Sequence, residues 1–158
     1  MEIRDAMKAG KDTVIVASGG LEQNGPYLVT AKHNLALRAI TDRLARKLGN
    51  ALVSSIIQFV PEGNIDPPTG HMKYPGTISL TAATFEALLT DVASSLRTNG
   101  FTSIVFIGDS GGNQAGMKKV AEALSTKWAA EGHKARVYFV PEYYRYPELH
   151  EWIRSEMG

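Results

Sequence analysis

The chain has 158 residues, of which 44% are hydrophobic and 21% charged, and its formal net charge is +1. These values are ordinary for one globular domain, so we expect a single domain over residues 1–158. The near-neutral charge disfavours nucleic acid and anionic membranes as partners. The zero cysteine count excludes disulfides, cysteine–zinc sites and a thiol nucleophile. The N-terminus lacks the apolar stretch of a signal peptide and no run is long enough to span a membrane, which makes the cytoplasm the expected location.

The apolar pattern predicts helices and strands that alternate along the chain. In chain order they are a helix over 2–9, a strand over 13–18, a helix over 35–48 capped by Asn34, a strand over 51–60, a helix over 81–98 opened by Thr81, a strand over 102–109, a helix from Asn113 to about 131, a strand over 134–142 and a last helix over 146–157. Such alternation is typical of a three-layer α/β fold, with helices on both faces of a parallel sheet of about four strands.

Ligands of such sheets bind outside the carboxyl ends of the strands. Most polar residues that could carry chemistry follow a predicted strand and so belong to this edge: Glu22, His33, Glu62, Asp66, His71, Asp109, Ser110 and Glu142. His133, in contrast, lies on a helix-to-strand connection, at the opposite edge.

The segment GDSGGN (108–113) fits G-x-S-x-G, the strand–turn–helix elbow that carries the nucleophile of α/β-hydrolases. Ser110, Glu142 and His150 follow the chain order of such a triad, although His150 falls inside the predicted last helix. The alternative is that the glycines permit a tight turn and that Ser110 helps to cap the next helix. We favour this alternative.

A metal site is a second interpretation of the same edge. Glu22, His33, His71 and Asp109 are ligand types that suit zinc or manganese. A bound metal would lower the pKa of its water to roughly 7 and generate a nucleophile without a serine. The spacing matches no compact ligand motif, so the alternative is that these side chains make structural hydrogen bonds.

Three segments carry a resemblance to a known family. GGLEQNGPYL (19–28), GHMKYPGTISL (70–80) and GDSGGNQAG (108–116) resemble, in order and in similar spacing, the main motifs of the creatininase, or creatinine amidohydrolase, family. The resemblance covers essentially the whole chain. It implies an α/β fold with a parallel sheet, frequent hexamers, hydrolysis of C–N bonds in amides or cyclic amides, and two divalent metal ions, zinc or manganese.

Most of the metal ligands that the resemblance implies are replaced in this chain. The glutamate of the family motif EQHGPHLPLGTD matches Glu22. The histidine ligand after it falls on Asn24, and the bridging aspartate falls on His33. The histidine of NGHGGN falls on Ser110, and the last glutamate falls on Gly112. The standard dinuclear site is therefore not expected.

The remaining residues suggest a reduced site. Glu22, His33 and Asp109 are predicted to hold one metal ion with an open position for water. The catalytic candidates are Glu22 as general base, His71 for proton transfer or substrate contact, and Ser110 as the nucleophile of the elbow interpretation. The predicted substrate and oxyanion contacts are Asn24, Gly111, Gly112 and Asn113, the last three at a helix N-terminus.

The resemblance favours a hydrolase of C–N bonds in a small amide or cyclic amide, with possible loss of activity. Two alternatives stay open: a non-catalytic relative that binds a small molecule or assembles, and a metal-free serine hydrolase that uses Ser110. Family members usually continue past the fourth strand to a segment of the type HAGxxETS, and this chain reaches Gly158 without it. We expect this difference to affect turnover more than fold.

Assembly is suggested by the last predicted helix. It carries Leu149, Trp152 and Ile153, and Tyr143, Tyr144 and Tyr146 precede them or lie at its start. Because large apolar patches are rarely exposed on a monomer, this cluster predicts a homo-oligomer. The resemblance to the creatininase family implies that this oligomer is a hexamer.

Overall fold

The structure is a computed structural model, and it describes residues 3–144 and residue 155. Its α-helices are α1 (Ile3–Lys8), α2 (Lys32–Leu48), α3 (Ala82–Thr98) and α4 (Gly111–Ala130). Its strands are β1 (Thr13–Ser18), β2 (Ala51–Val53), β3 (Ser103–Gly108) and β4 (Arg136–Phe139). Two short 3-10 helices, Gly70–Lys73 and Pro141–Tyr143, lie between these elements.

The four strands form one parallel sheet in the order β2-β1-β3-β4. β1 pairs on both sides, with Thr13 opposite Ala51 of β2 and opposite Ser103 of β3. All six residues of β1 are buried, which explains why its sequence is a continuous apolar run. The predicted α/β fold with a parallel sheet of four strands is confirmed.

Alternate side chains of β1 enter opposite sides of the sheet, as strand geometry requires. Val16 belongs to the larger core cluster, together with Phe85 of α3 and Trp128 of α4. Ile15 belongs to the second cluster, together with Leu37 of α2. The sheet therefore lies between α3 and α4 on one face and α2 on the other.

The second strand is shorter than the predicted stretch 51–60. Beyond β2, the Ser54 backbone N–H donates to the Ile15 oxygen, and the Ile57 N–H donates to the Ala17 oxygen. Three steps along this segment thus match two steps along β1. The extra residue interrupts the ladder, and only isolated bridges follow it.

Two helices begin earlier than their predicted caps. α2 begins two residues before Asn34, whose buried side chain exchanges two hydrogen bonds with the backbone of Gly20. α4 begins two residues before Asn113, whose amide donates to the Ser18 backbone oxygen at 2.9 Å. Neither amide is free to cap a helix, because each one ties a helix to the end of β1.

Other predicted boundaries agree more closely with the structure. Thr81 caps α3, since its Oγ1 accepts a hydrogen bond from the Thr84 N–H at 3.1 Å. β4 ends before the predicted residue 142, because Pro141 begins a 3-10 helix and cannot donate to a strand ladder. The predicted last helix lies outside the described residues except for residue 155, which is helical. No described helix has both the length and the apolar character needed to cross a membrane.

Candidate active site

The loops that follow β1, β2 and β3 meet at the carboxyl edge of the sheet around a cavity of about 1010 Å³. This cavity is the place where ligands of parallel sheets bind. Its polar wall is formed by Glu22, Lys32, His33, Glu62, Asp66, His71, Asp109 and Ser110, together with Gly111, Gly112 and Tyr144.

Glu22 is the most densely hydrogen-bonded side chain of this wall, and only 5% of the residue is exposed. Its Oε1 accepts from His33 Nε2 at 2.8 Å, from Lys32 Nζ at 3.0 Å and from Asn24 Nδ2 at 3.1 Å. Its Oε2 lies 3.3 Å from Nε2 of His71. Burial by itself would raise the pKa of Glu22, but the hydrogen bonds to its neighbours outweigh burial and lower the pKa to about 2.

His33 connects two carboxylates. Its Nε2 contacts Glu22, and its Nδ1 lies 2.9 Å from Oδ2 of Asp109. The hydrogen bond to Asp109 is the main cause that raises the pKa of His33, and it acts against burial. Both ring nitrogens can donate to carboxylates only when both carry a proton, so the geometry fits an imidazolium ion.

Glu62 is a site residue to which the sequence analysis assigned no role. It is buried, and its Oε2 accepts a hydrogen bond from the Ser110 hydroxyl at 3.2 Å. Burial, followed by the hydrogen bond to Glu22, raises the pKa of Glu62 to about 8. Near neutral pH these shifts leave Glu22 ionised and Glu62 protonated.

Space for Glu62 depends on a glycine at the end of β1. A Cβ at Gly20 would overlap Oε1 of Glu62, and the φ of Gly20 is +154°, which side chains rarely adopt. If Glu62 is ionised, its buried Oε1 has no hydrogen-bond donor among the described residues. A protonated carboxyl removes this deficit, because it then donates a hydrogen bond itself.

The residues predicted as substrate contacts divide into two groups. Gly111 and Gly112 do line the cavity. Asn24 uses its side chain to hold the backbone oxygen and the carboxylate of Glu22, so it positions that residue. Asn113 is fully buried and donates to the backbone oxygens of the β1 end, which corrects the predicted substrate contact to a structural role.

The structure also shows which of the catalytic candidates lie at the cavity. Glu22 and Ser110 lie on the cavity wall with His71, whose side chain is 45% exposed. Glu142 is exposed and lines a different cavity, between α4 and β4, so it is not a partner of Ser110. His150 lies outside the described residues. Ser110 occupies the cap position of α4, but its hydroxyl makes no capping bond and donates to Glu62 instead.

The predicted metal ligands Glu22, His33 and Asp109 contact one another directly. Both nitrogens of His33 face carboxylate oxygens, and Oε1 of Glu22 already has three donors, one of which is the Lys32 ammonium. Within the described residues, no group of three or more His, Asp or Glu side chains is arranged to hold a metal ion. This donor set does not fit a divalent metal.

The chain is similar to one protein family and to several solved structures. The model of the family Creatininase, described as creatinine amidohydrolase, matches residues 1–155. The fold is similar to a crystal structure of creatinine amidohydrolase, with 22% identity and a TM-score of 0.80 over 96% of this chain and 59% of the other. No curated protein matches the chain.

Two further solved structures carry a metal in their descriptions. One is described as creatininase Mn, with 21% identity and a TM-score of 0.80 over 96% of this chain and 60% of that one. The other is a mutant creatininase of the Zn-Zn type, with 21% identity and a TM-score of 0.77 over 96% and 59%. At these identities the likeness shows the fold alone, and the chain spans about 60% of the length of these structures. The match of the family model over nearly the whole sequence shows that the chain belongs to the creatininase family.

Proposed function

We propose that this protein hydrolyses a C–N bond of a small amide or cyclic amide in the cavity. We further propose that Glu22 and Glu62 transfer the protons of this reaction. The observation that carries this proposal is that two buried carboxyls line one cavity and have pKa values shifted in opposite directions. Membership of the creatininase family supports the substrate class.

The environments of the two carboxyls push their pKa values apart. The pKa of Glu22 is lowered to about 2 and that of Glu62 is raised to about 8, so near neutral pH one is ionised and the other protonated. Because they interact, the two groups titrate as a pair. Carboxyls separated in this way supply a base and an acid at the same pH.

The pair supports the following reaction. Water attacks the carbonyl carbon of the substrate, and ionised Glu22 accepts a proton from that water as the new C–O bond forms. The proton goes to Oε2 of Glu22, because three donors already occupy Oε1. Glu62 donates its proton to the nitrogen as the C–N bond breaks. The pair ends with its proton moved from Glu62 to Glu22, and exchange with solvent restores the starting state.

The negative charge that develops on the carbonyl oxygen has two sources of stabilisation in the cavity. The backbone N–H groups of Gly111 and Gly112 lie at the N-terminus of the 20-residue helix α4. The Lys32 ammonium, whose side chain is 29% exposed, lines the same cavity. Donors fixed before the reaction are effective because they need no reorganisation in the transition state.

The predicted binding of zinc or manganese is not proposed for this chain, because Lys32 and His33 occupy the carboxylates that would be the ligands, and no step above passes through a metal. The names of relatives include Mn and Zn-Zn forms, which supports a metal in those proteins. The predicted homo-oligomer and the predicted location in the cytoplasm stay predictions. Leu149, Trp152 and Ile153, on which the assembly prediction depends, lie outside the described residues.

Hydrolysis is tested by incubating the 158-residue chain with small lactams, cyclic ureas and open-chain amides, with chelator and with added Zn²⁺ or Mn²⁺. Mass spectrometry detects the gain of one water. Replacing the proton donor or acceptor, Glu62→Gln or Glu22→Gln, is expected to reduce the rate by ~10²–10⁴-fold. Glu142→Gln, at an exposed carboxyl of another cavity, is the matched control and should keep the wild-type rate.

The outcomes separate the candidate functions. Equal rates for wild type and Glu62→Gln would contradict the carboxyl pair. Binding of a panel compound without any turnover would favour the non-catalytic alternative. The serine hydrolase gains no support from the geometry, because no histidine within residues 3–144 is hydrogen-bonded to the Ser110 hydroxyl.

A further inference from the structure

We propose that Lys32 and His33 supply in this chain the positive charge that a metal ion would otherwise supply, so that the site assembles without a divalent metal. This inference is independent of the proposed hydrolysis, since it concerns charge and stability alone. It begins from the contacts of Glu22, the carboxylate that a metal would need first.

Oε1 of Glu22 has no capacity left for a metal. A carboxylate oxygen offers about two lone-pair sites. In this structure three donors lie within 3.1 Å of Oε1, namely the Lys32 ammonium, the His33 ring and the Asn24 amide. A metal ion could bind this oxygen only if at least one donor left, and the Lys32 ammonium would have to move away to avoid repulsion between cations.

The space between the two carboxylates is also occupied. The ring of His33 extends from Glu22 Oε1 to Asp109 Oδ2, at 2.8 Å and 2.9 Å. An ion that bridged Glu22 and Asp109 would need the position of this ring. His33 is 13% exposed at its side chain, so the ring is held in this place by packing as well as by its two hydrogen bonds.

Charges within this cluster balance without a metal. Glu22 and Asp109 contribute two negative charges, while Lys32 and the imidazolium of His33 contribute two positive charges. The cavity wall also carries Glu62, Tyr144, the exposed Asp66, and His71, whose Nε2 lies 3.3 Å from Oε2 of Glu22. A divalent cation added to Glu22, Asp109, Lys32 and His33 would leave these four groups with uncompensated positive charge.

The sequence changes agree with this charge balance. At the position where the resemblance implies a bridging aspartate, the chain has His33, which exchanges a negative for a positive group. Asn24 stands where a histidine ligand is implied, and its amide donates to Glu22 instead of binding a metal. Both changes turn an expected ligand into a hydrogen-bond donor toward the same carboxylate.

The test measures metal content and thermal stability, and neither depends on an assay of activity. Wild-type protein is treated with chelator, dialysed, and then titrated separately with Zn²⁺ and with Mn²⁺. We expect background metal after gel filtration and an unchanged Tm. Retention of one or two metal ions per chain that is lost in Glu22→Gln would overturn the proposal.

The charge role is tested with Lys32→Met, which removes the ammonium and keeps most of the apolar stem. Lys119→Met is the matched control, because Lys119 also pairs with a glutamate, at 2.6 Å, but is 70% exposed at its side chain. Exposed pairs contribute little to stability. We expect a Tm decrease of several degrees for Lys32→Met, largely restored in Lys32→Arg, and almost none for Lys119→Met. Equal effects of Lys32→Met and Lys119→Met would overturn the charge role even if no metal binds.

Discussion

The Ser110 hydroxyl donates a hydrogen bond to Oε2 of Glu62 at 3.2 Å. A serine nucleophile needs a base that takes its proton, usually an imidazole. Here the partner is a carboxyl that its surroundings keep protonated near neutral pH. Such a group is poorly suited to activate a hydroxyl, so Ser110 is better explained as a residue that orients Glu62.

Ser110→Ala is therefore expected to keep hydrolysis within about tenfold of wild type, whereas loss of a true nucleophile costs ~10⁶-fold. The hydrogen bond from Ser110 lowers the pKa of Glu62, so its removal should move the alkaline limit of activity to higher pH. The measurement is kcat/KM against pH. Covalent labelling of Ser110 by a fluorophosphonate, together with a loss of several orders of magnitude, would restore the serine mechanism.

Stability should depend on pH through Glu62. Its pKa is raised from an ordinary 4.5 to about 8, so across this interval the folded state holds a proton that the unfolded chain releases. The contribution of Glu62 is therefore complete below 4.5 and is lost as pH rises through about 8. The contribution of Glu22 to stability depends on pH in the opposite direction. It is present above pH 4.5 and is lost as pH falls toward about 2.

Glu62→Gln isolates this effect, because the amide can still donate to Glu22 but does not titrate. The Tm of the variant relative to wild type should rise steadily from about pH 5 to about pH 8.5. The pKa of His33 is also raised, so both proteins lose further stability as pH rises above 6.5. The control Glu142→Gln should run parallel to wild type, and a parallel Glu62→Gln curve would refute the shared proton.

Gly20→Ala is expected to cost about 2–4 kcal/mol of unfolding free energy, near the upper end for single substitutions. The methyl group would overlap Glu62 in addition to straining the backbone. Gly25→Ala is the control, because Gly25 has φ +80° and no atom lies within 4 Å of a Cβ placed there. This substitution should therefore cost only the backbone strain, roughly 1 kcal/mol. Chemical denaturation measures both.

The overlap can be separated from strain by a double-mutant cycle. In a Glu62→Ala background the cost of Gly20→Ala should fall toward that of Gly25→Ala, because the clashing carboxyl is gone. An unchanged cost would mean that the backbone conformation of Gly20, and not the fit of Glu62, determines its identity.

Asn113→Ala should destabilise the fold by about 2–4 kcal/mol, since it leaves two buried backbone oxygens, of Ser18 and Gly19, without this donor. Asn113→Asp should be worse, because a carboxylate would face the same oxygens. Asn99→Ala, at an exposed position, is the control and should stay within about 0.5 kcal/mol. Similar denaturation midpoints for Asn113→Ala and Asn99→Ala would contradict the assigned role.

Local sequence patterns were sufficient for the sheet and for the edge where the site lies. Apolar runs located all four strands, and the carboxyl-edge rule grouped Glu22, His33, His71 and Asp109, which the structure brings together around one cavity. The same patterns failed where a polar side chain serves a distant segment. Asparagine is a favoured residue at helix N-caps, which is why Asn34 and Asn113 were predicted as caps. Nothing in the neighbouring sequence indicates that both side chains bind the backbone at the end of β1.

The role of Glu62 could not be predicted for a related reason. Its protonation depends on burial and on contact with Glu22, forty residues earlier in the chain. The segment PEGN gives no sign of either. The one available signal was position, because Glu62 follows the second predicted strand at the same edge. The resemblance did not add to it, since the family ligands carried onto this chain do not include this residue.

Three consecutive residues at the start of α2, Lys32, His33 and Asn34, all contact the loop that leaves β1. Their partners are only two residues of that loop, Glu22 and Gly20. Opening this single helical turn would release both cations and the Gly20 anchor together. We therefore expect the first turn of α2 to open as one cooperative unit, and amide hydrogen exchange along it should report assembly or loss of the whole charged cluster.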